Sequence, residues 1–144
     1  MKRKDLRMKY TKITIAIQKE KKTPIMEVID FKNNYILLRN MFNQYQVSFP
    51  KAKMAEIKMI ADVCKFEKWE KTYYGKKPIV EWQIQIFDGD TSVMDAFGKN
   101  GVPECWDLFE EILNYCKLLV EKYSPDYKNP DVMTGLFGRA DEDD

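Results

Sequence analysis

The sequence predicts an α+β fold, with an antiparallel sheet of about five or six strands and two amphipathic helices packed on one face. Three observations carry that expectation. Residues 13–49 hold alternating or β-branched apolar runs separated by turn residues, and residues 80–97 hold a second pair around Asp88-Gly89. Between and after them, two stretches repeat apolar residues at three- and four-residue steps, the spacing that lines one side of a helix.

In chain order, Ile13, Ile15 and Ile17 alternate with Thr14, Ala16 and Gln18, as in a strand with one buried face. Glu20-Lys21-Lys22-Thr23-Pro24 turns the chain, and Ile25 to Phe31 is a second strand rich in β-branched residues. Asn33-Asn34 is a turn pair, because Asn tolerates positive φ. Tyr35 to Phe42 reads as a third strand and Gln46 to Phe49 as a short continuation or edge piece. Pro50 suits a first helical turn. Met54, Ile57, Ala61 and Cys64, with Ile60 beside them, then make one apolar stripe, opposite Lys51, Glu56 and Asp62. Phe66 to Tyr74 is a weaker extended segment, ended by Lys76-Lys77-Pro78.

The clearest strand is Val80 to Phe87, with Trp82, Ile84 and Ile86 on one side and Glu81, Gln83 and Gln85 on the other. Asp88-Gly89 fits the two central positions of a type I′ hairpin turn, and Thr91 to Phe97 is the returning strand. Pro103 opens the last helix, which runs to about Tyr123. Leu108, Phe109, Ile112, Leu113, Cys116, Leu119 and Val120 form its broad apolar stripe. Glu104 and Asp107 near its start and Lys117 and Lys122 near its end suit the helix dipole. Each large residue on that stripe contributes about 1.5–3 kcal/mol on burial, so this helix is the main clamp on the sheet.

A chain of 144 residues, 44% hydrophobic and 33% charged, suits one domain. The expected division is a basic arm over 1–9, a single α+β domain over 10–123 and an acidic flexible tail over 124–144. Charge is segregated: residues 1–22 carry nine Lys/Arg against Asp5 and Glu20, a net +7, while residues 124–144 carry a net −4. No apolar run is long enough for a bilayer and no signal-peptide pattern follows Met1, so a cytoplasmic protein without a membrane partner is expected. There is no histidine, which excludes Ser-His and Cys-His nucleophiles and imidazole-ligated metals. Cys64, Cys105 and Cys116 include no C-x-x-C pair, and Cys105 and Cys116 lie roughly 16 Å apart on one helix. They read as free thiols in a reducing compartment, and they cannot supply the four ligands of a structural zinc. Neither cofactor nor metal is expected.

The order Trp69, Tyr73, Trp82-Gln83-Ile84-Gln85-Ile86-Phe87-Asp88-Gly89, Gly98-Lys99-Asn100-Gly101-Val102-Pro103, Trp106 and Leu108-Phe109 resembles a group of small uncharacterised bacterial domains. The resemblance spans roughly residues 54–113. It implies a helix, a tryptophan segment, a hairpin and a Pro-initiated helix, and it implies no activity.

Several residue groups are candidates for chemistry. Gly98, Lys99, Asn100 and Gly101 precede a helix start, where backbone N–H groups can hold an anion, although Glu104 and Asp107 would repel a phosphate and the loop is no Walker A motif. Cys105 sits at the same start, where the dipole could lower a thiol pKa, with Lys99 the near cation in sequence. Asp88 and Asp90 flank Gly89, but the further acids of a calcium loop are absent. Trp69, Tyr73 and Tyr74, beside Lys76 and Lys77, are the best surface aromatics for a partner, while Trp82 belongs to the core. Lys2, Arg3, Lys4, Arg7 and Lys9 form a basic arm able to neutralise phosphates.

Three functional readings are therefore open. The leading one is a non-enzymatic binding or regulatory module acting through protein–protein contact, as a homodimer or as an inhibitor or accessory protein of a bacterium, phage or mobile element. The second is a nucleic-acid-associated protein using the basic arm and Trp69, Tyr73 and Tyr74. The third is a small enzyme using carboxylate, lysine or Cys105 chemistry.

Overall fold

A computed structural model describes residues 8–76 and 80–124. The expectations for Lys2, Arg3, Lys4, Arg7 and Lys77, and for the tail from Pro125 onward, fall outside the described residues. The elements are β1 (Lys12–Lys19), β2 (Ile25–Asp30), β3 (Tyr35–Arg39), β4 (Gln44–Ser48), α1 (Lys51–Asp62), a 3-10 turn (Phe66–Lys68), β5 (Thr72–Tyr74), β6 (Val80–Asp88), β7 (Thr91–Lys99) and α2 (Trp106–Tyr123).

The α+β class is as expected, but the sheet is larger and mixed. Seven strands lie in the order β4-β3-β2-β1-β6-β7-β5. Two sequence expectations fail here for local reasons. The third strand stops at Arg39 because the Asn40 side-chain oxygen accepts the N–H groups of Phe42 and Asn43, at 3.0 and 2.8 Å. That Asx turn folds the chain back and makes Gln44–Ser48 a full fourth strand, paired along its length with β3. The extended segment from Phe66 to Tyr74 breaks into a 3-10 turn and a three-residue strand. β5 takes the far edge and β6 skips one place to pair with β1, so β7 fills the gap antiparallel to β6 and parallel to β5.

The hairpin turn also differs in detail. Asp88 pairs with Thr91, so the central residues are Gly89 and Asp90, and only Gly89 has positive φ, at 62°. This is the type II′ pattern, with glycine at the first central position, in place of type I′.

Register places one apolar face together. Ile36, Ile29, Ile13 and Ile86 form one cross-strand row, and Leu38, Glu27, Ile15, Ile84 and Ala96 form the next. All nine are buried. Onto this face α2 lays Phe109, Ile112, Leu113, Cys116 and Val120, and α1 lays Met54, Ile57 and Ala61. Thr14, Gln83 and Gln85 point the opposite way and reach solvent to differing degrees. The expectation that α2 begins at Pro103 is corrected by three residues: its first helical residue is Trp106, with Cys105 as the N-cap.

An aromatic seam joins sheet to helix. The Trp82 ring lies 5.0 Å from Trp106, 5.7 Å from Tyr73 and 5.9 Å from Trp69, while Phe109 meets Trp69 at 5.4 Å and Phe66 at 5.8 Å. The Trp82 indole needs a flat seat, which Gly98 provides directly across the ladder, and its N–H donates to the Gly101 carbonyl at 2.9 Å. A Cβ at Gly98 would overlap both the indole and that carbonyl. Gly98→Ala is therefore expected to cost about 1–3 kcal/mol, the usual range for overpacking. Urea unfolding followed by tryptophan fluorescence checks this; an unchanged midpoint would show that the seat is loose.

Candidate protein-docking face

The aromatic segment singled out in the sequence is divided between inside and outside. Trp69 is half-buried in the seam, and its indole N–H donates to the Cys64 carbonyl at 2.9 Å. Tyr73 lies tilted on Trp82, with its hydroxyl accepting the Glu70 N–H at 2.7 Å. Tyr74 alone of the three is exposed, at 69%, edge-on to Phe97 with ring centroids 6.1 Å apart. Lys76 is exposed beside it. Strand alternation explains the split, since successive side chains on β5 face opposite sides of the sheet.

The Gly98-Lys99-Asn100-Gly101 stretch serves as a packing junction. Asn100 takes positive φ, 65°, and its N–H donates to the Val80 carbonyl at 2.8 Å. A Cβ at Gly101 would meet the backbone of Tyr73 and Tyr74 at 2.6–2.8 Å. Residues 102–105 separate this stretch from α2, so it does not lead directly into the helix as the sequence suggests. Of the basic arm, Lys9 is described and exposed, and Lys12 on β1 holds its ammonium 4.9 Å above the Phe87 ring.

The thiols are not activated. Burial raises Cys105, outweighing the nearby hydrogen bonds that lower it, and burial raises Cys116 further. Glu27 is the unusual carboxylate. Its position on β2 points it into the core between Leu38 and Ile15, and its Oε2 has no hydrogen-bond partner among the described residues. Burial pushes its pKa up to about 8, against a smaller opposing pull from Lys117. Among the described residues, no three Cys, Asp or Glu side chains converge as metal ligands, and no helix is long and apolar enough to cross a membrane.

The surface that sequence reasoning missed is the outer side of α1. Met54, Ile57 and Ala61 turn inward, yet Met59 and Val63, one helical turn apart, are 73% and 60% exposed, and Ile60 beside them is 40% exposed. Ala52 and Ala55 are also exposed. Ile60 thus sits off the core stripe where the sequence expectation placed it. A signal was present in the i, i+4 spacing of Met59 and Val63, on the flank that carries Glu56. The helix is apolar on two sides, whereas a surface helix ordinarily has one. Lys53 borders this face, bonded to the Tyr115 hydroxyl at 3.0 Å and to Glu56 at 3.2 Å. Tyr115 brings up α2, whose Leu118 is 53% exposed. Lys51 at the start of α1 and Lys65 just beyond its end are exposed and form no ion pair among the described residues.

No protein-family model matches this sequence, and no curated protein is significantly similar to it.

The buried carboxyl gives a pH test. An unfolded Glu titrates near 4.5 and the folded one near 8, so between these values the folded chain holds a proton that the unfolded chain has released. Its contribution to stability is complete below pH 4.5 and is lost as pH rises through 8, with a slope of up to about 1.4 kcal/mol per pH unit. Glu27→Gln is expected to raise the thermal midpoint at pH 8–9, to leave it nearly unchanged near pH 4, and to flatten the curve between. Parallel pH profiles for the two proteins would contradict this account of Glu27.

Proposed function

We propose that this chain is a non-enzymatic binding module that docks an acidic, apolar segment of a partner protein on the outer face of α1. The observation that carries the proposal is the exposure of Met59, Ile60 and Val63 on a helix whose opposite side already fills the core. Residues held rigid by a packed helix lose little freedom when a partner covers them, so their burial is available as binding energy. Interfaces draw most of their affinity from a few such residues near the centre.

Charge selects the partner. The apolar face lies between Lys51 and Lys65, whose ammonium groups have no carboxylate within the described fold. A segment with apolar side chains at helical or strand spacing and carboxylates at its ends would match both features. Such pairs at a rim act mainly on encounter rate and on rejection of wrong partners. A module of this kind regulates by covering a surface, which fits the leading sequence reading of an inhibitor or accessory protein.

The test uses the full chain as bait in extract of its native host, followed by titration of the captured protein in purified form. Met59→Gln combined with Val63→Gln is expected to weaken binding more than tenfold while leaving circular dichroism and the unfolding midpoint nearly unchanged. Tyr74→Ser, on the other side of the sheet, is expected to bind as the parent does. A partner lost with Tyr74→Ser but retained by the α1 variant, or no partner at all, would overturn the proposal.

A further inference from the structure

The end of α1 gathers two thiols. Lys65 takes a left-handed conformation, φ 51°, so the chain turns sharply after Cys64. Among the described residues no backbone N–H reaches the Cys64 carbonyl, and two side chains satisfy it instead. Trp69 donates its indole N–H at 2.9 Å, and Cys105, the N-cap of α2, brings its Sγ to 3.4 Å. The same approach brings the Cys105 sulfur against residue 64, close enough for the Cys105 thiol to raise the pKa of the Cys64 thiol. Cys64 is buried and Cys105 half-buried, which gives the pair one accessible member and one sheltered member. Cys116, eleven residues along α2, is fully enclosed.

We infer that Cys64 and Cys105 are a reversible dithiol, oxidised by a hydroperoxide to a single intramolecular disulfide that staples the end of α1 to the start of α2. Cys105 is the attacking residue because it is the more accessible. Its thiolate attacks one peroxide oxygen, the O–O bond breaks, and the departing oxygen leaves as an alcohol or water after taking up the proton that Cys105 lost. Cys105 is then a sulfenic acid. The Cys64 sulfur attacks it, the S–S bond forms as the S–O bond breaks, and water leaves with the Cys64 proton. In sum two thiols lose two electrons and two protons, and one hydroperoxide becomes one alcohol and one water. A dithiol reductant reverses the change.

Burial holds both thiols protonated at neutral pH, Cys64 up to about 12 and Cys105 above its ordinary value. The reaction is therefore slow at pH 7 and should accelerate roughly tenfold per pH unit while the attacking thiol remains mostly protonated. The staple closes a loop of about 40 residues, a length at which a disulfide constrains the unfolded chain strongly.

The experiment treats the full chain, natively folded, with excess hydrogen peroxide. Remaining thiols are alkylated after denaturation and the peptides are mapped by mass. The expected result is a monomer with a Cys64–Cys105 linked peptide, Cys116 alone alkylated, and full recovery of three thiols on reduction. The thermal midpoint of the oxidised form should lie several degrees above that of the reduced form. A Cys105→Ser protein should give no internal cross-link, and if it folds poorly the peptide map of the parent still decides. Disulfides joining Cys105 of two chains, or Cys105 oxidised to sulfinic acid while Cys64 remains alkylatable, would overturn the inference.

Discussion

The path of α2 across the sheet constrains the rest of the molecule. At its start Trp106 lies on Trp82 of β6, at its middle Cys116 lies within electrostatic reach of the Glu27 carboxyl on β2, and at its end Tyr123 meets Phe49 beyond β4 at 6.0 Å. Eighteen helical residues span roughly 27 Å, and the four strand spacings from β6 to β4 cover roughly 19 Å, so a diagonal crossing fits. One helix thereby covers five strands. Each of its buried apolar residues contributes on the order of 1.5–3 kcal/mol, and the sum fixes which sheet face is inside.

That arrangement leaves α1 a supporting place. It runs alongside α2, tied by Lys53 to Tyr115 near one end and by Cys64 to Cys105 at the other. Tyr10 anchors it from below, donating to the Asp62 carboxylate at 2.6 Å, with the Lys58 ammonium 4.3 Å from the Tyr10 ring centroid. A helix held in this way needs only Met54, Ile57 and Ala61 for the core. Met59, Ile60 and Val63 are surplus to folding, and large apolar side chains kept in water on a rigid helix are the raw material of an interface. The same central covering explains how Glu27 is accommodated. Its carboxyl is enclosed but can remain neutral, so the core holds a polar group without holding a charge.

Much of this was legible in the chain. Period-two alternation located β1 and β6 and assigned their inner faces correctly, since each inner residue has only one side of the pleat available. The stripe from Leu108 to Val120 identified α2 as the clamp, and the core assignment of Trp82 agrees with its burial. Glu27 could have been read the same way, because it shares parity with Ile25 and Ile29. Its charge concealed that parity. Other features depend on partners far away in sequence. Nothing within Thr72–Tyr74 specifies a parallel pairing with β7. Trp69 and Tyr73 look like a surface cluster until Trp82 and Phe109 arrive to cover them. The thiol pair needs the ends of two helices, 41 positions apart, to meet. Local pattern encodes element and face, while register and helix-end encounters are settled by the assembled core.

Cys116 reports directly on whether α2 is sealed against the sheet, because it sits at the middle of the inward flank and is wholly enclosed. Its alkylation rate should be measured across a urea series and compared with the loss of circular dichroism, with labelling assigned to each cysteine by mass. If the seal is as described, Cys116 reacts only through global unfolding and its apparent free energy equals that of the whole domain. Rapid labelling of Cys116 in water, with the secondary structure intact, would mean that α2 does not close the core.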